Sequence, residues 1–177
     1  MIGNLGPSLI DRGRTLSLML GVAAALVAVC PLAAKDLKYP DEEDIAFVLH
    51  VPNELMTKKD PAGNLFVGNP DRSFGLSFSW MDDDLGDMSI DDLAKAILAA
   101  SKAQPYSSHE PTTLGGNKAD AYWSKITSGK VTNLKLVIAK VSRVYLVLSI
   151  HTLPPLTAPQ QKLLDQTLSG ISLTGSN

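Results

Sequence analysis

An α+β fold is what this sequence predicts: one antiparallel β-sheet of about six strands flanked by helices. Two observations carry it. Apolar residues alternate with polar ones over several short stretches, the period of a half-buried strand, and these stretches fall into one block before and one block after a helical stretch. A second helical stretch stands alone near the C-terminus, so helices do not alternate one for one with strands as βαβ units require. A length of 177 residues suits one domain with a core of its own.

Composition narrows the function classes. Hydrophobic residues make up 45% and charged residues 19%, with a net charge of −2. There is no basic excess, so no nucleic-acid partner is expected, and the chain is too apolar for disorder. Residues 1–34 have the form of a secretory signal peptide. Arg12 and Arg14 precede the uncharged run LSLMLGVAAALVAVCPLAA, and charge returns at Lys35 and Asp36. Cleavage after Ala34 places Leu32 and Ala34 at the two small-residue positions, where Leu32 is bulkier than such sites prefer.

Two alternatives stand beside the cleaved peptide. The run 16–34 is about long enough for a retained membrane anchor. Cys30 suggests a lipoprotein, although Val29 stands where a lipobox places a small residue and Pro31 follows. Cys30 is the only cysteine. The cleaved chain therefore has no disulfide, thiol nucleophile or cysteine-bound metal. The expected location is exported, periplasmic or secreted. Membrane contact is expected only through the N-terminal segment, if that is uncleaved.

The elements follow in order. Segment 35–44, with Pro40 and the acidic run Asp41–Asp44, reads as a linker to a domain at 45–174. IAFVLHVP (Ile45–Pro52) is a strand with Phe47, Leu49 and Val51 on one face, ended by Pro52. Met56–Asn64 is turn chemistry, and a short strand LFVG follows. After a turn at Asn69-Pro70-Asp71, Ser73–Met81 alternates Phe74, Leu76, Phe78 and Trp80 against serines and glycine. Ser89 and Asp92 fit a capping box, and Ile90, Leu93, Ala94, Ile97 and Leu98 fall at helical spacing as far as about Lys102.

Tyr106–Gly116 reads as an irregular strand closing in a Gly-Gly turn. Lys118–Thr127 is a strand with Ala119, Ala121 and Trp123 opposite Asp120, Tyr122 and Ser124, and Ser128-Gly129 is a hairpin turn. Val131–Ser142 alternates Leu134, Leu136 and Ile138 against Asn133, Lys135 and Val137. Arg143–His151 is nearly continuous apolar, as in a strand covered on both faces. Pro154-Pro155 breaks the chain. Ala158–Ile171 is a second helix with Leu163, Leu164 and Leu168 inward and Gly170 near its end.

Four stretches resemble the PsbP-like fold family: FVLHVPNEL, SIDDLAKAI, TTLGGNKADAYW and RVYLVLSIHT. The resemblance spans Phe47 to about Ile171. That family includes an extrinsic protein of photosystem II, a Ran-binding group and many exported bacterial proteins. It implies an α/β/α sandwich and a mostly non-enzymatic role. No functional residue carries over from it, and Asn53-Glu54-Leu55 stands where many members place an aromatic after the proline.

Chemistry is sparse. The densest ligand cluster is Asp82, Asp83, Asp84 and Asp87, just before the first helix. An EF-hand fails here, because setting Gly86 at its sixth position puts Met81 first and Leu85 fifth. The cluster reads as a solvated acidic loop, with a looser calcium site on those four aspartates as the alternative. Asp91 and Asp92 read as first-turn residues favoured by the helix dipole. His50, His109 and His151 share no ligand spacing and read as packed or edge histidines. There is no nucleophile elbow, Walker loop or dinucleotide fingerprint. Trp80, Tyr122 and Trp123 are groove or core aromatics.

No enzyme activity and no cofactor is therefore expected. The expected function is an exported, non-enzymatic binding or accessory module of the bacterial cell envelope, acting by contact with an envelope protein that the sequence does not identify. A small-ligand or calcium-binding periplasmic protein is the alternative.

Overall fold

The structure, a computed structural model, describes residues 34–39, 47–82, 88–127, 129–141 and 144–173, all within the unit Pro31–Asn177. Along the chain these form β1 (Ala34–Tyr39), β2 (Phe47–Pro52), β3 (Met56–Lys59), β4 (Leu65–Gly68), β5 (Phe74–Asp82) and α1 (Ile90–Ala100). Then come β6 (Ser108–Leu114), β7 (Asn117–Ile126), β8 (Thr132–Val141), β9 (Val144–Thr152), α2 (Ala158–Ser169) and β10 (Ile171–Leu173).

The strands make two sheets. Among the described residues, a 7-stranded antiparallel sheet runs β3-β4-β5-β9-β8-β7-β6, and a 3-stranded sheet runs β1-β2-β10. The expected single sheet of about six strands is corrected here to these two. The additions have identifiable causes. Segment 35–39, expected as linker, is in β1, where Lys35, Leu37 and Tyr39 alternate with the exposed Asp36 and Lys38 opposite β2. Met56–Lys59, expected as turn, is the polar edge strand β3, and the turn proper lies at Asp60–Asn64, held by the Asn64 amide on Asp60 Oδ1 (2.9 Å). Ile171, expected inside the last helix, opens β10 against Leu49.

The large sheet is covered on both faces. On one, α1 sets Leu93, Ala94 and Leu98 against Tyr122, Leu134, Leu136, Ile138, Tyr145 and Val147. On the other, the small sheet and α2 cover Phe74, Leu76, Phe78, Leu146, Leu148 and Ile150 with Tyr39, Phe47, Leu49, Leu164, Ile171 and Leu173. Strands β8 and β9 thus bury both faces, which is why their sequences lose strict alternation. Each fully buried large side chain contributes about 1.5–3 kcal/mol. Trp80 keeps the phase of Phe78 but stays exposed, so the covering layer ends short of it.

Caps and close approaches fix the ends. Ser89 Oγ accepts the Asp92 amide (3.1 Å) and donates to the Asp92 carboxylate (2.7 Å). Aspartate thus returns to the hydroxyl, whereas a full capping box has a longer Glu or Gln reach the cap amide. At α2, Gln160 does accept the Thr157 amide (2.8 Å). Gly170 ends α2 against β2, where a Cβ would lie 2.7 Å from the His50 carbonyl oxygen. Gly115, at φ +53, turns β6 into β7 beneath β10, where a Cβ would lie 2.9 Å from the Leu173 nitrogen.

Candidate binding cleft

A cleft of about 610 Å³ lies on the face of the large sheet that carries α2. Its floor follows from strand register. Trp123 stands opposite Lys135, and Lys135 opposite Ile150, so the three form one row across β7, β8 and β9. The next row is Lys125, Asn133 and Thr152. Glu110 lines the cleft from β6, and Gln161, Leu164, Asp165 and Leu168 line it from α2. Apolar packing beneath α2 ends near Ile150 and Leu164, and beyond them the same face turns polar.

Lys135 places its ammonium 4.7 Å from the centre of the Trp123 ring. The quadrupole of an indole face attracts such a cation. Gln161 Nε2 donates to Asp165 Oδ1 (2.8 Å), fixing both polar groups along one wall. The cleft therefore offers an aromatic surface, two lysines and two carboxylates, with hydrogen-bonding groups of both kinds. Such a lining suits a mixed apolar and polar partner segment. The outer strand β6 borders it as the edge strand of the large sheet among the described residues, interrupted at Pro111.

The sequence-predicted site residues lie elsewhere. Asp82 closes β5, while Asp83, Asp84 and Asp87 lie outside the described residues, and with them the candidate calcium loop. Among the described residues no group of three or more His, Cys, Asp or Glu side chains is placed to hold a metal ion. Asp91 accepts from Lys95 (2.6 Å) and from the Tyr106 hydroxyl (2.8 Å), and these two bonds hold its carboxyl below the usual range. His109 stacks on Tyr122 at 4.5 Å and bonds Asp120 (2.9 Å). Burial, then the Asp120 charge, pushes the Tyr122 hydroxyl up to about 12. These groups tie α1 to β6 and β7.

His50 pairs with Asp36 between β2 and β1 (2.5 Å). His151 lines a separate cavity, where burial lowers its pKa below the ordinary histidine value. Trp123 is visible in the sequence as a groove aromatic, and Lys135 as a residue of its strand's polar face. Their pairing is not, because it depends on the register across the β7–β8 hairpin.

Most of the candidate signal peptide lies outside the described residues; its last residue, Ala34, is the first of β1. Among the described residues no helix is long and apolar enough to cross a membrane.

No protein-family model matches the chain, and no curated protein sequence matches it. Solved structures do. The fold is similar to the solution structure of cyanobacterial PsbP (CyanoP) from Synechocystis, with a TM-score of 0.58 at 13% identity over 87% of this chain and 100% of that one. It is similar to LpqN of Mycobacterium tuberculosis, described as involved in cell envelope biogenesis, with a TM-score of 0.51 at 16% identity over 80% of this chain and 91% of that one. A mutant of the protein Mog1 gives a TM-score of 0.50 at 10% identity over 81% of this chain and 97% of that one. With a matching sandwich over most of the chain, the protein has the PsbP-like fold.

Proposed function

We propose that this chain is an exported, non-enzymatic accessory module of the bacterial cell envelope, which binds a partner protein in the cleft between α2 and the large sheet. The carrying observation is the cleft itself. It joins a half-buried indole–lysine pair, a polar helix wall and the edge strand β6 on one face of the large sheet. Aromatic residues in such settings dominate protein interfaces. The N-terminal pattern supports export, and cleavage after Ala34 leaves all but the first residue of β1 in the mature chain. The envelope role described for LpqN, which shares the fold, is compatible with this reading.

The test is purification from the native envelope by a C-terminal tag, with the intact mass of the bait read in the same run. A bait beginning at Lys35, with a defined partner that is lost on Trp123→Ala, supports the reading. A partner retained equally by Trp123→Ala, or a bait that keeps residues 1–34, contradicts the cleft or the export step respectively.

A further inference from the structure

The face of the large sheet that carries α1 is only partly covered by that helix. Over β4, β5 and the end of β9 it holds a cavity of about 360 Å³. Phe66 and Leu153 give it apolar walls, and Ser77 and Thr132 add hydroxyls. Two ionisable side chains line it, Arg72 and His151. His151 makes no hydrogen bond to a described residue, and burial is the one cause that lowers its pKa. Its cross-strand neighbours are Gly75 and Leu134, neither of them charged, so Arg72 is the other charge in the cavity.

Two backbone features keep this arrangement open. Gly75 stands opposite His151, and a Cβ there would meet nothing nearer than the Val67 carbonyl oxygen at 3.9 Å, so the floor beside the imidazole is free. Arg72 sits at φ +62, a left-handed conformation that glycine or asparagine adopts at less cost. Its amide bonds Asn69 O (2.9 Å), while the neighbouring Asp71 is engaged by the Ser73 amide (2.8 Å) and by Gln160 (2.7 Å). The turn therefore commits its carboxylate elsewhere and leaves a guanidinium at the cavity.

We propose that this cavity binds a small aryl carboxylate, its ring against Phe66 and Leu153 and its carboxylate between Arg72 and His151. The chemistry follows from the lining. Guanidinium is the side chain best matched to a carboxylate. An imidazole that is costly to charge in the empty cavity becomes easier to charge once an anion lies beside it. Binding therefore takes up a proton on His151. This site lies on the opposite sheet face from the α2 cleft and does not depend on it.

The probe is 3-phenylpropionate, titrated into the full chain while the His151 ring is followed by NMR, with 3-phenylpropionamide as the uncharged control. At about pH 5.5 the acid should shift the ring saturably, and at about pH 8 it should bind about tenfold more weakly. Arg72→Gln should weaken the acid by a similar factor and leave the amide unchanged. His151→Gln should remove the pH dependence. An unmoved His151 ring at millimolar acid overturns the proposal. So does equal binding of acid and amide, which would mark a merely apolar hollow. If a variant does not fold, the wild-type titrations with acid and amide still support or overturn the proposal by themselves.

Discussion

The Tyr39 hydroxyl donates to the Phe78 carbonyl oxygen at 3.3 Å, joining the small sheet to the large one. Around that bond Phe47 lies between the two rings, 5.0 Å from each ring centre. Strand β1 is thereby built into the core and not merely laid on its edge. Tyr39→Phe should cost about 1 kcal/mol, the net value of one hydrogen bond. Tyr39→Ala should cost about 3–5 kcal/mol through the cavity it leaves. Urea denaturation of the two variants checks both; equal losses would mean that the ring contributes nothing beyond its hydroxyl.

The β6–β7 turn separates two effects of glycine. Gly115 and Gly116 both have positive φ, but a Cβ at Gly116 meets nothing within 4 Å, whereas one at Gly115 runs into β10. Gly116→Ala should cost about 1–2 kcal/mol from conformation alone. Gly115→Ala adds a clash with Leu173 and should be clearly worse. Similar melting temperatures for the two would show that β10 does not pack on the turn.

Buried tyrosines set an alkaline limit. Burial, with smaller contributions from Asp60 and Asp120, pushes Tyr39 and Tyr122 up to about 12 from 10. Between about pH 10 and 12 the unfolded chain holds fewer protons than the folded one, so stability falls as pH rises. Below pH 10 the contribution is complete. Urea midpoints should drop through that window, and Tyr122→Phe should flatten the drop; an unchanged slope in the variant would contradict it.

Legibility in the sequence follows burial. Strands β5 and β7 and helix α1 each bury a regular face, so their periodicity shows in the residue order, whereas β8 and β9, buried on both faces, show as apolar runs. Strand β3 hides because Thr57, Lys58 and Lys59 lie on an outer edge with little to bury. Strand β10, three residues long, reads as the tail of α2, since only its pairing with β2 distinguishes it. The cleft is less legible still. Trp123, Lys135 and Asp165 come from three elements, and only the register and the seat of α2 bring them together. The one sequence signal is Trp123 on the same strand face as two small alanines.

Site-specific photocrosslinking in cells tests the cleft most directly. A photoreactive residue at Asp165, on the cleft wall, is compared with one at Ala96, exposed on α1 over the opposite face. The expected result is one defined adduct from position 165, none from position 96, and loss of the adduct when Trp123→Ala is added. Adducts of equal yield from both positions, or an adduct indifferent to Trp123→Ala, would place the partner away from the cleft and contradict the proposed function.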